Sequence, residues 1–176
     1  MREVPDRSDA EPQWLTLDEQ NEWRRVLTMC ILLVDGLDAD LHADELSLAD
    51  YEVLVHLSND GGQQLRMSDL AERVLISKSR LTYRVDRLEA AGLLRREKCD
   101  TDRRGSWAVL TPEGWDRVRA VAPRHVASVR RRLVDALTAD EFETLGRLAG
   151  KVVEAAGPVP ELDGVESSCP DLSGPS

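Results

Sequence analysis

The sequence predicts a mainly α-helical chain of about six helices with one small β-structure of two to three strands. Three observations favour this fold class. Two capping boxes, TLDE from Thr16 and TADE from Thr138, mark helix starts. Apolar residues recur at steps of three and four through most of the chain, which is the helical period. The stretch LLRREKCDTDRRGSWAVLT has two short strand-like runs around a polar turn and therefore predicts a β-hairpin.

The composition indicates a globular protein with no cofactor. A chain of 176 residues with 41% hydrophobic and 32% charged residues suits one domain with additional helices. No apolar run approaches the ~20 residues of a membrane span, and the N-terminus lacks an apolar signal-peptide core, so we expect a cytoplasmic protein with no membrane contact. Cys30, Cys99 and Cys169 lie far apart with no CxxC pair, which argues against a disulfide scaffold or a metal site.

The N-terminal part is expected to form one long helix. Residues 1–13 are polar and acidic with two prolines, so we predict that they are disordered. A first helix follows within residues 14–45. Its apolar residues form one stripe over roughly seven turns, namely Trp23, Leu27, Cys30, Val34, Leu37 and Leu41. So long a stripe exceeds the needs of one small core and indicates contact with a partner chain.

Residues 46–111 have the order of a winged helix-turn-helix. A second helix begins at Ser47, a third at Ser68 and a fourth at Lys78, and the hairpin follows Gly92. In this arrangement a short helix supports another helix that enters the DNA major groove, which is ~12 Å wide. Two further helices are predicted within residues 112–156, and the tail of residues 157–176 is expected to be disordered.

Charge is distributed unevenly along the chain, whose formal net charge is -10. Residues 1–60 carry a net charge of -11 and residues 121–176 a net charge of -3, whereas residues 61–120 carry +4. A basic middle region between acidic flanks suits local contact with phosphate groups. The same pattern also fits a solvated helical surface with scattered arginines.

The fourth helix and the hairpin tip carry the residues expected to contact DNA. The core face of the fourth helix is Leu81, Val85 and Leu88. Its other faces present cations and hydroxyl groups that can reach base edges and phosphates. The predicted DNA contacts are Lys78, Ser79, Arg80, Thr82, Tyr83 and Arg84 on the helix, with Arg103 and Arg104 at the hairpin tip. The basic residues argue against a winged helix used only for protein contact, which remains the alternative.

The stretch from Leu46 to Gly114 resembles the MarR family of bacterial winged-helix regulators. The matching segments include LSLADYEVLVHL, RLEAAGLL and DRRGSWAVLTPEG. In the last segment Asp102, Arg104, Leu110, Thr111 and Gly114 stand at the positions typical of the family. The resemblance implies that Asp102 supports the wing tip by orienting Arg104. No arrangement of residues typical of an enzyme site is present.

The resemblance implies a ligand-responsive homodimer. Its dimerisation region would combine the first helix with the two C-terminal helices, and the two winged domains would bind a pseudo-palindromic operator. Such a protein is expected to be a repressor that a small-molecule effector releases from double-stranded DNA.

Effector recognition is expected where the dimerisation helices meet the winged domain. The candidate pocket residues are Trp23, Arg24, His42, His56 and Trp115. Redox sensing at Cys30 is an alternative, because peroxide-sensing relatives use a cysteine in the first helix. Cys30 lies about one turn from that position, and Leu48 stands where a partner tyrosine would be. Of the histidine pair used by zinc-sensing relatives only His125 is present, so no metal site is predicted.

Overall fold

The computed structural model describes residues 12–59, 64–98 and 105–157. These residues form six α-helices and three β-strands, with short 3₁₀ turns after α1 and after α5. The elements in chain order are α1 (Leu17–Leu41), α2 (Leu48–Asn59), β1 (Gln64–Arg66), α3 (Met67–Arg73), α4 (Lys78–Ala90), β2 (Leu94–Lys98), β3 (Ser106–Leu110), α5 (Pro112–Arg132) and α6 (Ala139–Ala156). This architecture confirms the predicted fold class.

Both predicted capping boxes are formed. The Thr16 hydroxyl accepts from the Glu19 backbone N–H at 3.2 Å, and the Glu19 carboxylate accepts from the Thr16 N–H at 2.7 Å. Thr138 and Glu141 repeat the arrangement at the start of α6. In each box the backbone N–H of the threonine lowers the pKa of the glutamate, because it stabilises the carboxylate. Local sequence therefore sets where these two helices begin.

The strands form a three-stranded antiparallel sheet in the order β1-β3-β2. The hairpin strands β2 and β3 pair from Leu94 with Leu110 to Lys98 with Ser106, and β1 adds to the other edge of β3. The hairpin pattern in the sequence predicts β2 and β3 but does not locate the short strand β1. This strand precedes α3 and joins β3 through tertiary contact. The sheet packs against the core that α2, α3 and α4 build, with Leu54, Leu70 and Leu81 fully buried.

The winged domain is fastened to α1 through α5. Val118 and Val121 of α5 are fully buried in the main core. Near its C-terminal end α1 carries Asp40, whose carboxylate lies 2.7 Å from Arg131 Nη2 and 2.9 Å from Arg132 Nη2. The Ser128 hydroxyl also donates to Asp40, and with Arg132 it holds the pKa of that carboxyl below its ordinary value. An acidic helix end, which the helix dipole disfavours, is thus neutralised by a neighbouring helix.

Much of the apolar surface of α1 and α6 has no neighbour within the chain. Of the α1 stripe only Leu37 and Leu41 are buried, while Trp23 is 55% exposed and Val34 is 52% exposed. The helix α6 has no buried residue, although it carries Phe142, Leu148 and Val152. No helix in the described ranges has the length and apolar character needed to cross a membrane.

The start of α5 passes so close to Leu93, the residue before β2, that residue 114 has to be glycine. A Cβ atom at Gly114 would lie 1.9 Å from the Leu93 carbonyl oxygen, a backbone atom that cannot rotate away. We predict that Gly114→Ala lowers the free energy of unfolding by ~2 kcal/mol or more. Gly146→Ala is the control, because nothing lies within 4 Å of the added methyl group there. Urea unfolding followed by circular dichroism measures both variants, and equal stabilities for the two would contradict the packing.

Candidate nucleic-acid interface

The helix α4 is anchored on one side and open on the other. Leu81, Val85 and Leu88 are buried in the core, so the opposite side faces away from the domain. Its first turn is capped by Ser77, whose hydroxyl accepts from the Arg80 backbone N–H at 3.4 Å. The first turn contains no acidic residue, so the positive end of the helix dipole has no local counter-charge. The N-terminus of α4 therefore suits a phosphate group.

Five of the six predicted α4 contacts are exposed. They are Lys78, Ser79, Arg80, Thr82 and Tyr83. The side chain of Tyr83 is 61% exposed. The Thr82 hydroxyl donates to the Lys78 carbonyl oxygen at 2.9 Å and so has its rotamer fixed. In the part of the chain that the structure describes, no carboxylate forms an ion pair with Lys78 or Arg80.

The sixth predicted contact, Arg84, is engaged inside the domain. Its Nη1 atom donates to the Ser47 hydroxyl at 2.7 Å and lies 3.3 Å from Asp50 Oδ1. The Arg87 guanidinium lies 3.3 Å from the other oxygen of the same carboxylate. The Asp50 side chain is fully buried. Arg84 lies on the α2 side of α4, next to the core face. Unlike Lys78 and Arg80, it is therefore paired inside the domain.

The wing is tied to α4 by Arg96 of β2. Its Nη1 atom lies 2.6 Å from Asp86 Oδ1 and 2.9 Å from Glu89 Oε2, and its Nη2 atom donates to the Thr82 carbonyl oxygen at 3.2 Å. On the opposite edge of the sheet, the Arg66 guanidinium stacks on the Trp107 ring at 5.2 Å. The predicted wing-tip residues Asp102, Arg103 and Arg104 lie outside the described residues.

The five predicted effector residues do not come together within one chain. Trp23 and Arg24 are exposed on α1, and Trp23 precedes His42 by nineteen residues. That separation corresponds to about 28 Å along a helix that rises 1.5 Å per residue. His42 is exposed with Nδ1 2.8 Å from the Asp38 carbonyl oxygen. The rigid length of α1 therefore separates the N-terminal pair from His42 in one chain.

The other two predicted effector residues lie closer to the core. His56 is half-buried beside Glu52, and burial, followed by the charge of Arg73, lowers its pKa. Trp115 is buried at the start of α5.

A different group of polar aromatic contacts lines the buried side of α5. The Arg119 guanidinium stacks on the Trp115 ring at 5.1 Å, and the His125 ring lies 4.6 Å from the Tyr51 ring. Trp115 Nε1, Arg119 Nε and His125 Nδ1 are buried without a hydrogen-bond partner. Burial lowers the pKa of His125 and so favours its neutral form. Buried polar atoms usually have a hydrogen-bond partner, so these three nitrogens are places where water or a bound polar molecule would be stabilised.

Cys30 is the cysteine within the described ranges, and it is exposed on the apolar stripe of α1. Cys99 and Cys169, like the wing tip, lie outside those ranges. A cysteine on an apolar helix face usually behaves as a small hydrophobic residue.

Comparison with known proteins shows the family. The MarR family profile matches residues 45–105. The crystal structure of AbsC from Streptomyces coelicolor, a MarR family transcriptional regulator, is 45% identical with a TM-score of 0.78, over 82% of this chain and 98% of that chain. Sco3205 from the same organism, a MarR family regulator solved in complex with DNA, is 40% identical with a TM-score of 0.80 over 85% of this chain and 97% of that chain. The chain belongs to the MarR family.

A third MarR-type structure, the PcaV transcriptional regulator of S. coelicolor, was solved in complex with its natural ligand. It is 27% identical, with a TM-score of 0.65 over 84% of this chain and 100% of that chain. These comparisons confirm the family resemblance that was stated from the sequence. Members of the MarR family are DNA-binding transcriptional regulators and not enzymes.

Asp50 and Arg96 are the site residues that sequence reasoning missed. Asp50 stands three positions after Ser47 at the start of α2, a spacing that favours helix capping and does not indicate that two arginines of α4 share its carboxylate. Arg96 stands in a strand-like run next to Arg95, and only the sheet register shows which of the two points toward α4. The one signal in the sequence was an acidic residue among the apolar residues of α2, because acidic side chains are seldom buried without a partner.

Proposed function

We propose that this MarR family protein is a homodimeric repressor that binds a pseudo-palindromic operator through α4 and is released by a small-molecule effector. The observation that carries the proposal is the α4 surface. Lys78 and Arg80 extend from a capped helix N-terminus without a counter-charge, on a helix whose other side is fixed in the core. The DNA complex of Sco3205, at 40% identity, supports the same use of the fold. Binding to chromosomal DNA would place the protein in the cytoplasm.

The residue types on α4 suit base readout as well as phosphate contact. An arginine can donate two hydrogen bonds to guanine, and a threonine methyl group can contact thymine. Arg80 and Thr82 supply these groups on the exposed side, and the proposal adds Arg103 and Arg104 as wing contacts oriented by Asp102. Arg84 is left out, because its guanidinium is bound to Ser47 and Asp50.

We predict salt-sensitive binding to DNA from the region upstream of the gene. Arg80→Ala should weaken operator binding roughly 5- to 100-fold, the equivalent of one lost base or phosphate contact. Arg130→Ala is the matched control, since it removes the same charge at the far end of α5, where Arg130 pairs with Asp135. Fluorescence anisotropy over a salt series measures both. Absence of binding at low salt by folded protein would contradict the proposal and favour a protein-interaction module.

The dimer proposal rests on the apolar surface of α1 and α6. Trp23, Val34 and Val152 are more than half exposed in the single chain, and several other large apolar residues of these helices accompany them. Monomeric proteins seldom expose so extended an apolar surface. A second copy would cover it, and a two-fold axis would set the spacing of the two α4 helices to successive major grooves.

We predict that the double variant Leu27→Glu and Val34→Glu is monomeric. Each substitution places a charge on the apolar stripe, where dimerisation would bury it without a partner. Asn21→Glu adds the same charge type on the opposite side of α1 and should remain dimeric. Light scattering after size-exclusion chromatography gives the mass of each. A wild-type monomer at micromolar concentration, or a double variant that stays dimeric, would contradict the proposal.

The effector proposal rests on the three unpartnered nitrogens of α5. Trp115 Nε1 and Arg119 Nε are hydrogen-bond donors, and the rings of Tyr51, Trp115 and His125 supply aromatic surface. The two donors, on Trp115 and Arg119, lie one turn apart, about 6 Å along α5. A small aromatic compound with a carboxylate or phenolate group matches this chemistry, because its ring stacks while its oxygens accept hydrogen bonds. PcaV, a relative at 27% identity, was crystallised with a natural ligand.

We predict that a panel of small aromatic acids and phenols contains compounds that raise Tm and weaken operator binding. Arg119→Met keeps the stem of the side chain but removes the donor, and it should weaken the binding of such a compound ~10-fold or more. Arg130→Met is the control variant for the loss of an α5 charge. Calorimetric titration measures the affinities. If no compound of this class raises Tm, or if Arg119→Met binds it as tightly as wild type does, the effector proposal is wrong.

A further inference from the structure

We infer that Asp50 is a positioning residue that determines DNA specificity by withholding Arg84 and Arg87 from the phosphate backbone. The inference rests on the proposed role of α4 in DNA contact. Asp50 belongs to α2, whereas the two arginines belong to α4, so one carboxylate joins the supporting helix to the proposed recognition helix. This role goes beyond the capping interaction that Asp50 makes at the start of α2.

The Asp50 carboxylate has polar partners on both sides, at the start of α2 and on α4. The Ser47 hydroxyl donates to Asp50 Oδ2 at 2.6 Å, and the Ser47 N–H donates to the same oxygen at 3.1 Å. Arg84 and Arg87 approach the carboxylate at 3.3 Å from the α4 side, and the Asp50 side chain has no solvent exposure. A buried carboxylate without its cations is costly, which is why these two arginines are held where they are.

Arg80 provides the contrast one helical turn before Arg84. Residues 80, 84 and 87 follow one flank of α4, because they are four and three positions apart. Arg80 is exposed, and among the described residues no carboxylate forms an ion pair with it. Arg84 has 27% of its side chain exposed and Arg87 has 46%, so neither is locked away by burial alone. What distinguishes the three arginines is the carboxylate of Asp50.

The consequence for DNA binding is a limit on sequence-independent attraction. Each phosphate neutralised by a cation adds about 0.9 to the slope of log K against log salt. Asp50 engages both arginines, so we expect neither of them to contact a phosphate and add to that slope, although the cluster keeps a net charge of +1. Their attachment also fixes how α4 lies against α2. The operator is then read by Lys78, Arg80 and their neighbours, while affinity for random DNA stays low.

Two matched substitutions one turn apart test the inference. Arg80→Gln and Arg84→Gln each remove one positive charge from α4 and leave an uncharged polar side chain. We measure the salt slope for random duplex DNA with each dimeric variant. The expected result is a slope reduced by about 0.9 for Arg80→Gln and an unchanged slope for Arg84→Gln. The triple variant Asp50→Asn, Arg84→Gln and Arg87→Gln, whose cluster is uncharged, should also keep the wild-type slope.

The outcomes separate this inference from the proposed function. Equal reductions for Arg80→Gln and Arg84→Gln would show that Arg84 contacts phosphate, and that would overturn the inference while α4 remains the DNA surface. Unchanged slopes for both variants would instead place the DNA contact outside α4, which contradicts the proposed function. Thermal denaturation of each variant confirms that the compared proteins are folded, and the triple variant supports the test if Arg84→Gln is unstable.

Discussion

Among the described residues one carboxylate, that of Asp50, is fully buried, and it connects α2 with α4, the helix proposed to contact DNA. Its oxygens accept from the Ser47 hydroxyl and N–H on the α2 side and approach Arg84 and Arg87 on the α4 side. A buried charge tolerates little displacement, because lost partners leave an unsolvated ion. The carboxylate therefore fixes the angular position of α4, and with it which of the helix's cations point outward. Lys78 and Arg80 remain exposed and available for the proposed contact with DNA.

Ion pairs also connect α4 to the wing and α1 to α5. Arg96 bridges Asp86 and Glu89 and so fastens the wing strand β2 to α4. At the other end, Asp40 of α1 is held by Arg131 and Arg132 of α5, which links the winged domain to the surface proposed for dimerisation. The unpartnered nitrogens of Trp115 and Arg119 lie on α5 between these two links. A ligand bound there would act on the helix that joins the proposed dimer surface to the proposed DNA surface.

Local signals in the sequence were sufficient for the helices and the hairpin. The capping boxes at Thr16 and Thr138 act over three residues, and the buried face of α4 follows the helical period, so both were predictable. The pairing of Asp50 with Arg84 joins residues 34 positions apart, and no local pattern distinguishes Arg84 from Arg80. The effector residues predicted from the sequence are not assembled within one chain for a related reason, because the length of α1 separates Trp23 from His42. The partners of a charged side chain depend on tertiary contacts, whereas the positions of helices and strands follow from local periodicity.

The central claim is that Asp50 keeps Arg84 and Arg87 away from DNA. A crystal structure of the protein bound to its operator tests this most directly. The account predicts that both guanidinium groups stay within 4.0 Å of the Asp50 carboxylate, as in the present structure, while Arg80 contacts a base edge or a phosphate. A complex in which Arg84 and Arg87 bind phosphates and Asp50 has lost both cations would contradict the account.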